Sequence, residues 1–297
     1  MFTRRDFLKW TSRSAAALGL TQAGLFKLSQ ALAAESSPPL IWLHGASCSG
    51  CSIAALNAVA PTTFGDLLLN RVSAKYDSLL MAAGSDLAIR TMDDAASAGQ
   101  FILVVEGGVP VASGGRYCTI GERAQRPITL LDAVNDLAPR ASRVLAVGTC
   151  ASYKGVAGTG ANPTGVTPLS TVLLGKTAKP VINVPGCPAP PDQLFKVIIG
   201  LLAGADYALD SDGRPATCFP HTVHFTCPRK HLPKATAFGQ SGCLLDVGCQ
   251  GKVTMAMCPQ HKWNNGTNWC TAAGHPCIGC AAPEFPVTPL TPTGSYI

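Results

Sequence analysis

The stretch "PLIWLHGASCSGC", residues 39–51, joins a short apolar run to a glycine-rich loop that carries two cysteines. An apolar run of this length, bounded by turn residues, predicts a strand that is buried on both faces, as in a parallel sheet. Three later runs end in the same kind of loop, and a fourth is weaker. These runs are "FILVVEGG" (101–108), "SRVLAVGTC" (142–150), "KPVINVPGC" (179–187) and the weaker "YDSLLMAAG" (76–84).

Helical patterns lie between these runs, at residues 51–60, 85–99, 128–138 and 191–204. Strands that alternate with helices predict a parallel, doubly wound sheet, so we expect an α/β domain over residues 35–205. After that point the alternation stops, and Gly, Pro, Cys and His dominate the sequence. We therefore expect residues 206–297 to form a second, loop-rich domain that folds around bound cofactors.

Four cysteines follow the predicted strands, at the end where open α/β sheets bind ligands. They are Cys48, Cys51, Cys150 and Cys187. Four thiolates fit either a tetrahedral zinc ion or a cubane 4Fe–4S cluster. The C-x-x-C pair alone could also be a redox dithiol, but two further cysteines at matching strand ends favour a metal site.

Two more groups of candidate ligands lie in the second domain. One consists of His224, Cys227, Cys243 and Cys249, with His221 and Cys218 as competitors for a place in it. The other consists of Cys258, Cys277 and Cys280, and Cys270 is its uncertain member. Zinc ribbons also use C-x-x-C pairs, so zinc is the rival metal here. No basic patch or aromatic stripe accompanies this last group, which argues against nucleic-acid binding.

The N-terminus reads as an export signal. "TRRDFLK" precedes a weakly apolar stretch and the A-x-A site "ALA", which together indicate a twin-arginine signal over residues 1–34. Removal of residues 1–33 takes away five Lys or Arg and one Asp, so the net charge falls from +6 to +2. A nearly neutral mature chain gives no argument for nucleic acid as a partner. The signal predicts a periplasmic protein, and it leaves membrane association through a partner open.

The 13 cysteines are an odd number, so disulfides alone cannot use them all. The twin-arginine route exports proteins that are already folded, often with a cofactor inserted in the reducing cytoplasm. Many cysteines behind such a signal favour a metal cofactor over a disulfide framework. Neither the short apolar part of the signal nor the tail "PVTPLTPTGSYI" (286–297) is long and apolar enough to span a bilayer.

Eight motifs occur in the order seen in the small subunit of NiFe hydrogenases, which the chain resembles over essentially its whole length. They are "HGASCSGC", "EGG", "GTCAS", "PGCP", "HFTCPRKH", "GCLLDVGC", "MCPQ" and "GHPCIGC". The resemblance implies a flavodoxin-like domain with a proximal 4Fe–4S cluster, followed by a domain with medial and distal clusters. It also implies a large subunit that carries the NiFe centre, so no residue of this chain is expected to be catalytic. Electrons would pass to an external acceptor such as cytochrome c.

Carried over motif by motif, the resemblance implies three sets of iron ligands. The proximal set is Cys48, Cys51, Cys150 and Cys187, the distal set is His224, Cys227, Cys243 and Cys249, and the medial set includes Cys258, Cys277 and Cys280. In much of the family a proline in an "NWP" run stands at the place of Cys270, and the medial cluster has three irons. Here "NWC" offers a fourth thiolate. We therefore expect a medial 4Fe–4S cluster that includes Cys270, with 3Fe–4S as the alternative.

The sequence departs from the family pattern at several positions. Ser47 and Ile53 stand where many members have glutamates, and Gly50 and Gly155 stand where oxygen-tolerant members have two extra cysteines. A six-cysteine proximal cluster is therefore not supported. The run "SCSGCSI" and Cys270 resemble the selenium-containing branch, in which selenocysteine would lie in the other subunit.

Two cysteines, Cys118 and Cys218, remain unassigned, and Cys118 is most simply a small buried apolar residue. A function of a different class remains open, namely a zinc-stabilised or disulfide-linked exported binding protein. The visible absorption spectrum separates the two, because iron–sulfur proteins are brown and zinc or disulfide proteins are colourless.

Overall fold

The computed structural model describes residues 37–263 and 265–286. The predicted export signal and most of the C-terminal tail lie outside these residues. Within the described part of the chain, no helix is both long and apolar enough to cross a bilayer.

The described residues form nine strands and a set of mostly short helices. The strands are β1 (Pro39–His44), β2 (Ser73–Asp77), β3 (Ile102–Glu106), β4 (Val109–Pro110), β5 (Thr119–Arg123), β6 (Arg126–Thr129), β7 (Arg143–Val147), β8 (Val166–Thr167) and β9 (Ile182–Val184). The α-helices are α1 (Gly50–Ala55), α2 (Phe64–Asp66), α3 (Ser85–Ala98), α4 (Leu130–Leu137), α5 (Gly148–Tyr153), α6 (Leu169–Val172), α7 (Pro191–Leu202), α8 (Val223–Thr226) and α9 (Cys258–His261). A π-helical turn spans Leu67–Arg71, and 3₁₀ turns span Ala112–Gly115, Ala138–Arg140, Val156–Gly158, Leu244–Val247 and Gln250–Lys252.

Five parallel strands form the main sheet, in the order β2-β1-β3-β7-β9. This is the strand order of flavodoxin-like folds, and it confirms the predicted α/β class. The central strand β3 is buried at all five positions, as expected for a parallel strand covered by helices on both faces. Two short antiparallel pairs, β4 with β8 and β5 with β6, stand apart from this sheet.

Four of the five predicted strands are confirmed, but the strand predicted from the weak run at 76–84 lies earlier in the chain. Strand β2 ends at Asp77, and the chain then turns. The turn forms because a carboxylate oxygen of Asp77 accepts the backbone N–H of Leu79 at 2.9 Å. Leu79 and Leu80, which suggested a strand, are exposed on the surface. The predicted helix at 51–60 is also shorter than expected, because α1 ends at Ala55.

Apolar side chains cover both faces of the sheet. Alternate residues of β1 point to opposite faces, since Ile41 and Leu43 join one buried cluster and Leu40 and Trp42 join the other. Helices α3 and α4 cover the first face, and α7 with the short α1 covers the second. Local signals start these helices: the Thr129 side chain accepts the backbone N–H of Asp132 at α4, and α7 begins with a proline.

Beyond α7 the chain has few regular elements. Helices α8 and α9 have four residues each, and loops make up most of the rest. The main apolar cluster of this part is small and includes two candidate ligands. Its buried members are Val223, Cys227, Ala256, Trp269, Cys277 and Ala281. So small a core agrees with the expectation that bound groups stabilise this part of the chain.

Candidate metal centres

The first group of cysteines lies at the carboxyl edge of the sheet. Cys48 and Cys51 follow β1, Cys150 lies in α5 directly after β7, and Cys187 follows β9. Burial raises the pKa of the Cys51 thiol, and the charges of Glu106, Cys150 and Cys187 raise that pKa further. Burial also raises the pKa of Cys187 to about 11, with contributions from Cys150 and Cys48. The four thiols are therefore close enough to act on each other electrostatically.

The start of the C-x-x-C helix is held by a carboxylate from the next strand. Ser49, at the N-cap of α1, makes no side-chain capping bond, so the first N–H groups of the helix need another acceptor. Glu106, at the end of β3, accepts the N–H of Cys51 at 3.1 Å, the N–H of Ser52 at 3.0 Å and the Ser52 hydroxyl at 2.5 Å. The Glu106 side chain is 1% exposed. The partial positive charge at the N-terminus of α1 stabilises the negative charge of Glu106.

His44, the last residue of β1, contacts this carboxylate. The Nε2 atom of His44 lies 3.5 Å from a Glu106 oxygen and 3.0 Å from the Ser52 hydroxyl, while Nδ1 lies 3.0 Å from the Ser78 hydroxyl. Burial alone would raise the pKa of Glu106, but the hydrogen bonds from His44 and Ser52 and the charge of His44 lower it overall. Glu106 is therefore an anion that fixes the backbone of the first cysteine pair.

Close packing at the edge of the sheet requires a glycine before Cys150. Gly148 has φ +81°, and a Cβ built on it would lie 2.5 Å from the Cys51 sulfur. A side chain at this position would therefore collide with a candidate ligand. The next residue, Thr149, is also buried, and its hydroxyl accepts the N–H of Gly186 and donates to the backbone oxygen of Cys280. Thr149 thus joins the first group to the C-terminal half of the chain.

The last four cysteines form a second group of neighbours. Burial raises the pKa of Cys258 to about 11, with a further contribution from Cys270. Burial also raises the pKa of Cys280, and Cys258, Cys277 and Cys270 add to that increase. The structure therefore brings Cys270 together with the three cysteines that the sequence placed in the medial set. Its role as an iron ligand remains a prediction.

Cys227, Cys243 and Cys249 form the remaining group. Burial raises the pKa of Cys227, the N–H of Arg229 lowers it, and the charges of Cys249 and Cys243 raise it. His224 lies in α8. Gly251 lies close both to the backbone of His224 and to the side chain of Cys249. A Cβ built on Gly251 would lie 3.4 Å from both the Cys249 sulfur and the His224 backbone nitrogen.

The imidazole of His224 is available as a metal ligand because it is neutral. Burial lowers the pKa of His224, and the nearby Lys252, Lys230 and His231 lower it further. A neutral ring nitrogen is the form that binds a metal. The competing His221 is exposed and packs its ring on Phe225, with 4.5 Å between the ring centroids.

The three groups touch one another in a fixed order. Thr149, which directly precedes Cys150 of the first group, donates its hydroxyl to the backbone oxygen of Cys280 in the medial group. The N–H of Cys277, in the medial group, donates to the sulfur of Cys249 at 3.4 Å. The medial group therefore lies between the other two, and the three form one continuous line through the chain.

The donor set fits iron–sulfur clusters. All 13 cysteines are free, and burial raises the pKa of most of the candidate ligands, so a metal cation has to replace the proton if these thiols are to ionise. Backbone N–H groups already point at several sulfurs, as from Ala189 to Cys51 at 3.3 Å. Such N–H···S bonds are a known means of tuning cluster potentials.

A single metal ion would need a tighter arrangement than the one seen. Across residues 37–263 and 265–286, no three His, Cys, Asp or Glu side chains form a group that could hold one ion. A cubane cluster has a different requirement, because its four thiolates bind four separate irons.

The two unassigned cysteines lie away from these groups. Cys118 packs against the core under α3 and α4, and its thiol lies 3.7 Å from the backbone oxygen of His44. Cys218 packs against the other face of the sheet, and its backbone oxygen accepts the amide of Gln193 at 3.1 Å. Burial raises the pKa of both thiols. The structure gives Cys218 no place among the distal candidates.

Sequence reasoning missed Glu106, His44 and Thr149 as functional residues. The signal for Glu106 was present, because an acid that ends a fully apolar strand needs a partner when it is buried. His44 contacts Ser52, 8 positions away, but the contact of His44 with Ser78 and that of Thr149 with Cys280 span 34 and 131 positions, which a single sequence does not show.

Comparisons with known proteins agree with this geometry. The family of the C-terminal part of NiFe/NiFeSe hydrogenase small subunits matches residues 219–291, and the family "NADH ubiquinone oxidoreductase, 20 Kd subunit" matches residues 48–201. The periplasmic [NiFeSe] hydrogenase small subunit of Desulfomicrobium baculatum is 35% identical, with 96% of each chain covered. The periplasmic [NiFe] hydrogenase small subunit 1 of Nitratidesulfovibrio vulgaris is 37% identical, and the match covers 95% of this chain and 90% of the relative.

A solved structure matches the fold as well. A chain of the recombinant [NiFeSe] hydrogenase from Desulfovibrio vulgaris Hildenborough superposes with a TM-score of 0.80 at 38% identity. The superposition covers 87% of this chain and 98% of the other. The similarity therefore includes both the parallel sheet and most of the loop-rich half that carries the second and third groups of ligands.

Proposed function

The chain belongs to the small-subunit family of NiFe and NiFeSe hydrogenases, and we propose that it carries electrons between a large-subunit active site and an external acceptor. In this proposal the complex is a periplasmic, uptake-type hydrogenase, and the acceptor is a protein such as a c-type cytochrome. The observation that carries the proposal is the continuous line of three ligand groups, joined through the Thr149–Cys280 and Cys277–Cys249 hydrogen bonds. A zinc site that only stabilises a fold needs no second site in contact with it.

Each group has a proposed cluster. Cys48, Cys51, Cys150 and Cys187 hold a proximal 4Fe–4S cluster, and His224, Cys227, Cys243 and Cys249 hold a distal one. The medial cluster is also 4Fe–4S, and its ligands are Cys258, Cys270, Cys277 and Cys280. Cys270 lines the same cavity as Cys258 and Cys280, which supports this choice over a three-iron cluster.

The clusters supply one-electron redox steps when they are bound, and the protein supplies their positions and surroundings. Glu106 and His44 fix the first cysteine pair, and Gly148 leaves room for the Cys51 sulfur. Thr149 holds the medial segment against the sheet. Backbone N–H groups that donate to the sulfurs of Cys51 and Cys249 stabilise the thiolate forms. The chain thus binds, orients and shields the clusters, and the hydrogen chemistry belongs to the partner subunit.

Export of the folded, loaded complex through the twin-arginine signal at residues 1–34 is part of the proposal. Two relatives are named periplasmic, which supports this location. The proposed domain division, 35–205 and 206–297, is supported by the change from sheet to loops beyond α7.

The test is purification of the native complex from periplasm. We expect a brown heterodimer with about twelve irons per small subunit, which follows from three cubane clusters, and hydrogen-dependent reduction of an added acceptor. A colourless preparation in which zinc replaces iron would contradict the proposal and support the zinc-stabilised binding protein. A brown chain that is fully active without any partner would also contradict it, because it would place the hydrogen chemistry in this chain.

A further inference from the structure

Outside the predicted export signal, the net positive charge of the chain is concentrated in one region. Residues 35–214 contain 14 Asp or Glu and 13 Lys or Arg, so they are nearly balanced. Residues 215–283 contain five Lys or Arg and one acid, Asp246. That acid is already paired, because Asp246 lies 2.8 Å from the Lys234 ammonium. Among the described residues no carboxylate forms an ion pair with Arg229, Lys230 or Lys252.

Two of these cations, Lys230 and Lys252, lie near the candidate histidine of the distal group. Lys252 follows Gly251, which packs against the backbone of His224. Lys230 reaches back to the same helix, where its ammonium donates to the backbone oxygen of Phe225 at 2.7 Å. Lys252, Lys230 and His231 all act electrostatically on the His224 ring. The end of the line of ligand groups is therefore a positively charged surface.

An exposed aromatic side chain lies on this surface, beside the candidate histidine. Phe225, next to His224 in α8, is 57% exposed. The His221 ring covers one part of it, and the Lys230 ammonium lies 5.2 Å from its ring centroid. An apolar contact with a rim of charge is the usual anatomy of a protein interface. We define the electron-exit patch as His221, Phe225, Arg229, Lys230 and Lys252.

We propose that the electron-exit patch docks an acidic one-electron redox protein, whose negative surface is complementary to the rim around Phe225. This inference rests on the proposed function, and it narrows the acceptor to proteins with an acidic docking face. Each hydrogen molecule gives two protons and two electrons at the large subunit. Two acceptor molecules, docking one after the other, each take one electron from the His224 end. A basic cytochrome c would be repelled from the same surface.

The test uses the purified heterodimer with two soluble acceptors of opposite charge, acidic plastocyanin and basic mitochondrial cytochrome c. Hydrogen-dependent reduction rates are measured at low and high salt. We expect plastocyanin to be reduced at least tenfold faster per molar concentration at low salt, and the difference to shrink at high salt. In the variant Lys230→Glu/Lys252→Glu the rate should fall for plastocyanin and rise for cytochrome c. A merely damaged site would lower both rates.

The matched control carries the same change of charge elsewhere. Lys176→Glu/Arg126→Glu replaces two exposed cations of the sheet domain and should leave the ratio of the two rates at its original value. An unaltered ratio in the Lys230/Lys252 variant would overturn the docking proposal, as would a faster reaction with cytochrome c in the original protein.

Two other outcomes identify different explanations. If the variant loses binding to phosphatidylglycerol vesicles but reduces plastocyanin at the original rate, the patch is a membrane surface, and the docking proposal is overturned. If neither acceptor is reduced while hydrogen isotope exchange continues, the electron-transfer function itself is wrong, independently of docking.

Discussion

Substitution of Glu106 by glutamine should loosen the segment that presents the first cysteine pair. The carboxylate accepts two backbone N–H groups and one hydroxyl, at 3.1, 3.0 and 2.5 Å. Glutamine has the same size, but only one of its two terminal atoms accepts hydrogen bonds. One buried N–H, of Cys51 or Ser52, would then face another donor. A lost charge-assisted bond and one unsatisfied buried donor together cost roughly 2–4 kcal/mol.

That free energy converts into an observable opening of the segment. Each 1.4 kcal/mol changes an equilibrium constant tenfold, so the equilibrium constant for opening of this segment should rise by about 30- to 700-fold. Amide hydrogen exchange of the peptide that covers residues 48–56, measured by mass spectrometry on the heterodimer, reports this equilibrium. Release of iron to a chelator should accelerate in parallel.

The control for this measurement is Glu122→Gln. Glu122 lies exposed in β5, away from the first cysteine pair. In the Glu122→Gln variant, amide hydrogen exchange of residues 48–56 should therefore match that of the original protein. If Glu106→Gln changes exchange of residues 48–56 by less than about threefold, then Glu106 does not anchor the segment, and our account of the helix start is wrong.

The remaining predictions concern single positions in the three groups. Cys270→Pro should give the paramagnetic resonance signal of an oxidised three-iron cluster, which the intact original protein should lack; the same signal in both would refute Cys270 as a ligand. His224→Ala should impair acceptor reduction more than hydrogen isotope exchange, and His221→Ala should impair acceptor reduction much less, because it alters only the docking surface; the opposite pattern would exchange their roles as candidate ligands. Gly148→Ala should reduce the iron content by one cluster, because its Cβ would lie 2.5 Å from a candidate ligand sulfur. Gly160→Ala is the control, with φ +65° but open space around it, and it should lose only about 1 kcal/mol of stability.

The sheet could be predicted because its signals are local. Each confirmed strand is a short apolar run that ends in a loop with Gly, Pro or Cys, and the cysteines mark the carboxyl ends. The hairpin of β5 and β6 gave no such signal. Its strands, "TIGER" and "RPIT", contain charged residues on exposed positions, and its turn uses Ala124 and Gln125 at positive φ rather than Asn-Gly. Nothing local in the sequence distinguishes such a turn from an irregular loop.

The candidate ligands could be grouped from the sequence, and their role stays a prediction; the residues alone did not predict the order of the groups in space. Spacing such as C-x-x-C brings two thiols together, and a parallel sheet brings strand ends together. No such rule applies to the loops after α7. The contact between Cys277 and Cys249 joins residues 28 positions apart in the chain, and it depends on loops without periodicity. The family resemblance supplied this order, and the structure supplied the contacts that explain it.

The fixed charges along this line favour one direction of electron flow. Glu106 is a buried anion beside the first group, and a negative charge lowers the reduction potential of a nearby cluster. Lys230 and Lys252 lie beside His224, and positive charges raise the potential there, although solvent and salt weaken the effect of exposed ammonium groups. If the proposed clusters occupy these groups, the two charges favour electron transfer from the sheet edge towards His224, which is the direction of hydrogen uptake.

Redox titration of the heterodimer measures this asymmetry. The cluster at Cys48 and Cys51 should have the lower potential, and Lys230→Glu/Lys252→Glu should lower the potential of the cluster at His224 alone. A histidine ligand also raises the potential of a cluster, so the order of the two potentials is not sufficient by itself. The shift in the variant separates the two causes, because the ligand is unaltered and only the surrounding charge has changed. Equal potentials at both ends of the original protein, or no shift in the variant, would mean that charge placement does not set the direction of transfer.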